Sequence, residues 1–171
     1  FEAPAKTHSD KDPNLLPYTT VGDAILDIAG LNEKDIPNHI ALAHKPLVAE
    51  RMSYVPEGGK LDLNTLPEHL QNATRKDSKT GKVANYSHVY KRLDRNKPST
   101  TMVPGHNAFP IHPTLNRTLT PREAARIQTF PDTLEFFGTR QQQCIQAGNA
   151  VPPKMAEPFF KKINEYIEEF T

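Results

Sequence analysis

Apolar positions recur with helical spacing in three places along the chain and lose that period between them. Val21, Ala24, Ile25 and Ile28 share one helical face behind Thr20, a residue type that caps a backbone N–H, so a short helix is expected over about 20–29. Ala124, Ile127 and Phe130 repeat at three-residue intervals behind Thr120-Pro121-Arg122-Glu123. There Thr120 can cap, Pro121 fits the first helical position and Glu123 can reach back to close a capping box. Pro131 disfavours helical backbone at Phe130, which bounds this helix at about 120–130. Met155, Phe159, Ile163, Ile167 and Phe170 fall near one stripe, with Lys161, Lys162, Glu165, Glu168 and Glu169 on other faces. That pattern predicts an amphipathic helix over 153–168, and its stripe needs a partner surface.

Between these runs the signals are those of loops and short strands. Phe1 to Pro17 reads as an extended lead-in, and Pro56-Glu57-Gly58-Gly59 as a turn. Asn72 to Asn85 is polar and basic, the pattern of a loop or hairpin, and Tyr86 to Leu93 is read as a strand in which alternation is only partly kept. Pro98-Ser99-Thr100-Thr101-Met102 fits a short edge strand beginning after a proline. Gly148-Asn149-Ala150-Val151-Pro152-Pro153 reads as a small-residue turn leading into a helix N-terminus, where a polar ligand can meet free backbone N–H groups.

Composition narrows the class. The chain has 171 residues, 36% hydrophobic, with 16 prolines against 8 glycines and a mean hydropathy of −0.63. One domain with a modest core and many extended or turning segments is expected. No apolar run approaches the roughly 18 residues of a membrane span, and no signal peptide is visible. The one cysteine, Cys144, excludes an intramolecular disulfide and suits a cytoplasmic protein. His39 and His44 have no Cys, Asp or Glu to complete a ligand set, so no metal is expected. The chain opens on Phe1, as a processed protein or the rear part of a longer one would.

Charge is concentrated. Residues 75–97 carry Arg75, Lys76, Lys79, Lys82, Lys91, Arg92, Arg95 and Lys97 against Asp77 and Asp94, net +6, in a chain whose net charge is +1. Such an island is either a phosphate-binding stripe or a solvated basic loop. Arg92 and Arg95 are candidates for base or phosphate contacts, because a guanidinium pairs bidentately with guanine in the major groove.

Two motifs identify a relative. LTPREAARIQTFPD (119–132), followed by GNAVPP (148–153), closely resembles the last two of the ten sequence blocks of bacterial restriction–modification DNA cytosine-5 methyltransferases. Thr7-His8-Ser9, the Gly58-Gly59 turn with Leu66-Pro67, the Thr101-Met102 pair and His112-Pro113 are similar to further family segments. The resemblance implies a mixed α+β fold. Its parts would be a connecting segment and helix at 1–30, a loop-rich target-recognition domain with short strands at 31–139, and the tenth block with its helix at 140–171. The last part would return to pack on a Rossmann-like methyltransferase domain largely absent from this chain.

For the site, the resemblance places Asn149, Ala150 and Val151 beside S-adenosylmethionine. It places Thr101 and Met102 near double-stranded DNA, where Arg92, Arg95 and Lys97 of the basic island are further candidates, and Arg117, Arg122 and Arg126 are expected to support the recognition domain. The family reaction extrudes a cytosine from the duplex, and a cysteine thiolate from a Pro-Cys pair attacks the ring. Cys144 follows Gln143 and has no such context, so no catalytic residue is expected here. The glycine-rich cofactor loop and the Glu-Asn-Val-like and Gln-x-Arg-x-Arg-like segments are also missing. The chain is therefore expected to act in the bacterial cytoplasm with a catalytic domain or subunit carrying the earlier blocks. Two alternatives are a non-catalytic DNA-binding module and a protein-interaction domain with a basic loop.

Overall fold

The computed structural model describes residues 2–62, 65–71, 90–103 and 109–170. Arg75, Lys76, Lys79 and Lys82, the expected loop over 72–85 and the start of the expected strand at 86 lie outside the described residues. Among the described residues there are six α-helices: α1 Val21–Ile25, α2 Pro46–Ser53, α3 Glu68–Gln71, α4 Pro121–Ile127, α5 Arg140–Asn149 and α6 Pro153–Glu168. A 3₁₀ turn, Leu26–Ile28, extends α1.

Local chemistry fixes the helix starts. Thr20 with Asp23, Thr120 with Glu123 and Thr139 with Gln142 each form a reciprocal capping box. Each satisfies backbone donors that the first helical turn leaves unpaired. α5 was not anticipated, because its run is polar and Gly148 suggested a turn. Gly148 instead lies inside α5, and the Thr139–Gln142 pair was the signal for it. α2 was likewise not anticipated, although it begins at Pro46.

The strand component is slight. Among the described residues the β contacts are isolated bridges: His8 with Leu16, Lys60 with Lys91, Arg92 with Ile111, and Ile111 with Thr118. The last three align short extended pieces edge to edge. One apolar cluster joins Val21 and Ile25 of α1 to Ala124 and Ala125 of α4, Cys144 and Ala147 of α5, and Leu93, Met102, Phe109, Leu119 and Phe136 from the loops. A smaller one gathers Met52, Val55 and Ile111, with Val48, Leu61 and Tyr90 against it.

With so little sheet, loop carbonyls need other donors, and arginines supply them. Arg122 is fully buried. Its Nε donates to Pro37 O (2.9 Å), Nη1 to Pro131 O (3.0 Å), and Nη2 to Leu134 O (2.6 Å) and Asn38 Oδ1 (3.3 Å). Asn38 has φ +65°, a left-handed conformation Asn tolerates better than most residues. Its side chain exchanges hydrogen bonds with both backbone groups of Phe136, 2.8 and 2.9 Å. Two loops nearly a hundred residues apart are thus tied through one guanidinium and one amide.

Gly22 brings α1 onto the 94–97 turn. Its N–H donates to Arg95 O (2.8 Å), and Val21 N–H donates to Lys97 O (2.9 Å). A Cβ on Gly22 would lie 2.7 Å from Arg95 O, too close for any side chain.

Arg122→Lys should expose this dependence. An ammonium cannot span the four acceptors, so buried carbonyls lose their donors at a cost of about 3 kcal/mol. Urea denaturation should report that loss, with Arg126→Lys, nearer the surface, losing less.

Candidate functional site

A groove of about 560 Å³ lies where α1, the 98–102 segment, the end of α4 and the α5–α6 junction meet. Thr101 and Met102 line it on one side, Gly148, Ala150, Pro152 and Met155 on the other, and Arg126, Gln128 and Thr129 between them. Arg126 locks this region from beneath. It pairs with Asp132 at 2.8 and 2.5 Å, contacts both carboxylate oxygens of Asp27 at 2.7 Å, and reaches Ala24 O at 3.4 Å. Hydrogen bonding to Asp132 raises the Arg126 pKa, and the same bond lowers that of Asp132.

The junction residues Asn149, Ala150 and Val151 run from the end of α5 to the start of α6. Asn149 is exposed, and no hydrogen bond among the described residues engages its amide. Val151 is 64% exposed. Both flanks of the junction are tied to the end of α4. Gln128 Nε2 donates to Ala147 O of α5. Thr129 Oγ1 accepts from Lys154 N–H of α6 at 3.1 Å.

The recognition candidates separate into inside and outside. Arg92 is buried, and all five of its N–H donors are engaged: by Val55 O, His112 O, Leu115 O, Met52 O and Asn116 Oδ1 at 2.6–2.8 Å. Arg92 was expected to face DNA; here its donors meet the chain's own oxygens. Met102 also turns inward, into the larger apolar cluster, while its neighbour Thr101 is exposed.

Strand alternation explains Arg92. Its N–H donates to Gly59 O, and Leu61 N–H donates to Tyr90 O, each at 3.0 Å, so Lys60 and Lys91 face each other as the intervening pair. Leu61 and Tyr90 pack against the smaller cluster, and successive side chains alternate faces. Of the two facing lysines, Lys60 is exposed and Lys91 half-buried. Arg95 and Lys97 are exposed but paired, Arg95 with Glu57 at 2.8 Å and Lys97 with Asp94 at 2.9 Å.

Behind α4 lies a buried polar cluster. Arg117 grips both Glu123 carboxylate oxygens at 2.7 Å, and Thr120 N–H adds a 2.8 Å bond. Burial alone would raise the Glu123 pKa, but Arg117 and the Thr120 amide outweigh it and hold the carboxyl below its ordinary value. His112 Nδ1 accepts from Thr114 N–H and Leu115 N–H, both at 3.2 Å. Its proton therefore belongs on Nε2, 3.7 Å from Glu123. His39 and His44 bond Thr120 and Thr118. Among the described residues no group of three or more His, Cys, Asp or Glu could hold a metal. Cys144 is buried, and burial raises its thiol pKa, the opposite of what a thiolate nucleophile needs.

Comparison with known proteins agrees with the motifs. The C-5 cytosine-specific DNA methylase family matches residues 2–165. The chain is 39% identical to Type II methyltransferase M1.HphI of Haemophilus parahaemolyticus, over 85% of this chain and 37% of that protein. It is 34% identical to M.BbvI of Brevibacillus brevis, over 92% and 38%. It is 38% identical to M.AquIB of Picosynechococcus sp., over 77% of this chain and 90% of that one. The chain thus spans less than two fifths of the first two relatives and nine tenths of the third. A crystal structure described as a DNA modification methyltransferase encoded within an E. coli prophage shares 28% identity. It superimposes with a TM-score of 0.53 over 78% of this chain and 30% of that one.

The buried cluster sets an acid limit. Burial depresses the His112 pKa from 6.5 to about 4, and burial also lowers His39 and His44. The unfolded chain binds these protons first, so stability is full above about pH 7 and falls as pH drops toward 4. His112 alone should account for about 2 kcal/mol between pH 8 and pH 5. His112→Asn keeps an acceptor for the two amides without titrating, so the gap between urea midpoints at the two pH values should narrow in that variant, with His39 and His44 leaving the remainder.

Proposed function

From the premise that the chain belongs to the C-5 cytosine-specific DNA methylase family, we propose that it supplies target recognition and one wall of the cofactor pocket to a DNA cytosine-5 methyltransferase. The observation that carries this is α6. Its sixteen residues include no buried one, while Met155, Phe159, Phe160, Ile163, Tyr166 and Ile167 all stand exposed. Taken at 100° per residue these side chains fill one broad arc, the pattern of a helix covered by protein. The occupant is the catalytic part, for which the greater length of the first relatives leaves room. The 90% coverage of M.AquIB supports a separate chain of about this extent.

S-adenosylmethionine would supply the methyl group. The residues present fit one side of its site: an uncommitted Asn149 amide offering donor and acceptor, small Ala150 permitting close approach, and exposed Val151 offering apolar contact. The nucleophile comes from the catalytic part, because Cys144 is buried among apolar neighbours. DNA is contacted by exposed Thr101, by Lys60 and Lys91, and by Arg95 and Lys97, whose exposed ion pairs with Glu57 and Asp94 can exchange for phosphates. Arg117, Arg122 and Arg126 hold the recognition loops in register and touch no DNA. The setting is a restriction–modification system in a bacterial cytoplasm.

Co-expression with a chain carrying the earlier family blocks tests this. Labelled methyl from S-adenosylmethionine should reach duplex DNA only when both chains are present. A folded chain that binds DNA but neither forms the complex nor restores transfer would favour a stand-alone DNA-binding module.

A further inference from the structure

We infer that Gln128 and Thr129 are positioning residues that set the Asn149–Val151 junction for the cofactor, and that Thr129 occupies an unfavourable backbone conformation in order to do so. The inference rests on the reading that this junction borders S-adenosylmethionine.

The end of α4 carries the argument. Thr129 N–H donates to Arg126 O (2.8 Å) and Phe130 N–H to Ala125 O (2.9 Å), the paired bonds of a Schellman termination. The residue at the turn of that motif adopts positive φ and is usually glycine, which has no Cβ to clash. Here it is Thr129, β-branched, at φ +65°. Such a residue belongs to the left-handed region only where the surroundings hold it there.

What holds it is α6. That helix starts with Pro152 at the N-cap and Pro153 at the first position, and Pro152 has no side-chain oxygen to offer. The first free donor is Lys154 N–H, and Thr129 Oγ1 accepts it at 3.1 Å. Thr129 thus performs for α6 the task an N-cap Ser or Thr performs from within its own helix. The preceding residue, Gln128, is buried and binds Ala147 O, inside the last turn of α5. Two consecutive residues at the end of one helix therefore fix the end of a second and the start of a third. The segment between those fixed points is Asn149-Ala150-Val151.

A glycine at 129 would suit the α4 ending better and would leave α6 uncapped. The two effects oppose each other, and that separates positioning from simple structural support. In the assembled two-part enzyme, Thr129→Gly should weaken S-adenosylmethionine binding by about five- to tenfold, measured by calorimetry. The thermal midpoint of this chain should stay level or rise, and KM for DNA should stay unchanged. Thr129→Ser retains the oxygen and should restore cofactor affinity to within about twofold. Gln128→Leu should weaken cofactor binding in the same direction. Hydrogen exchange at 149–156 in the isolated chain should accelerate in Thr129→Gly, with no cofactor involved.

Unchanged cofactor affinity in Thr129→Gly, or failure of Thr129→Ser to restore a loss, would overturn the inference. An unsubstituted assembly that binds DNA but not S-adenosylmethionine would overturn the cofactor reading beneath it.

Discussion

Among the described residues, the fold depends on satisfying loop carbonyls without a sheet. A buried C=O needs a donor, and where strands are reduced to isolated bridges the neighbouring backbone cannot provide one. Arg122 and Arg92 provide it, each fanning rigid N–H groups into four or five oxygens. Arg140 does the same more sparingly, reaching Ile40 O and Leu119 O at 2.9 Å. A guanidinium suits the task because its donors are coplanar and already spread, so little freedom is lost per bond formed. The cost is desolvation, visible in the lowered pKa of Arg92, Arg122 and Arg140, and the number of acceptors offsets it.

The same economy links structure to function through α4. Its first turn carries Arg122 and Glu123, which gather the loops around Asn38, Phe136 and His112. Its last residues carry Arg126, which ties α1 and Asp132, and then Gln128 and Thr129, which tie α5 and α6. One seven-residue helix stands between the segment proposed to face DNA and the junction proposed to face the cofactor.

The legible part of the fold was the part written in local chemistry. α1, α4 and α6 form where Thr20, Thr120 and Pro153 with their apolar spacing placed them. α5 obeys the same capping rule, yet its polar surface hid it and its glycine argued against it. The interior was harder to read because an arginine carries the same letter whether it reads a base or a carbonyl. Arg92 sat in a basic island and pointed to DNA by composition. Its bridges to the 59–61 segment and to buried Ile111 show that it faces inward. The pairing of Arg126 with Asp27 spans 99 positions and leaves no local signature.

α6 carries the broadest exposed apolar arc among the helices described. Phe160 in α6 is 64% exposed and Phe170, just beyond its end, 72%, and these are the side chains the proposed catalytic part would cover. Hydrogen–deuterium exchange across 153–168, with and without a chain carrying the earlier blocks, tests this most directly. The account predicts fast exchange in the isolated chain and strong protection of α6 and the 149–152 junction on mixing. Equal exchange in both samples, with the complex shown to be formed, would contradict it.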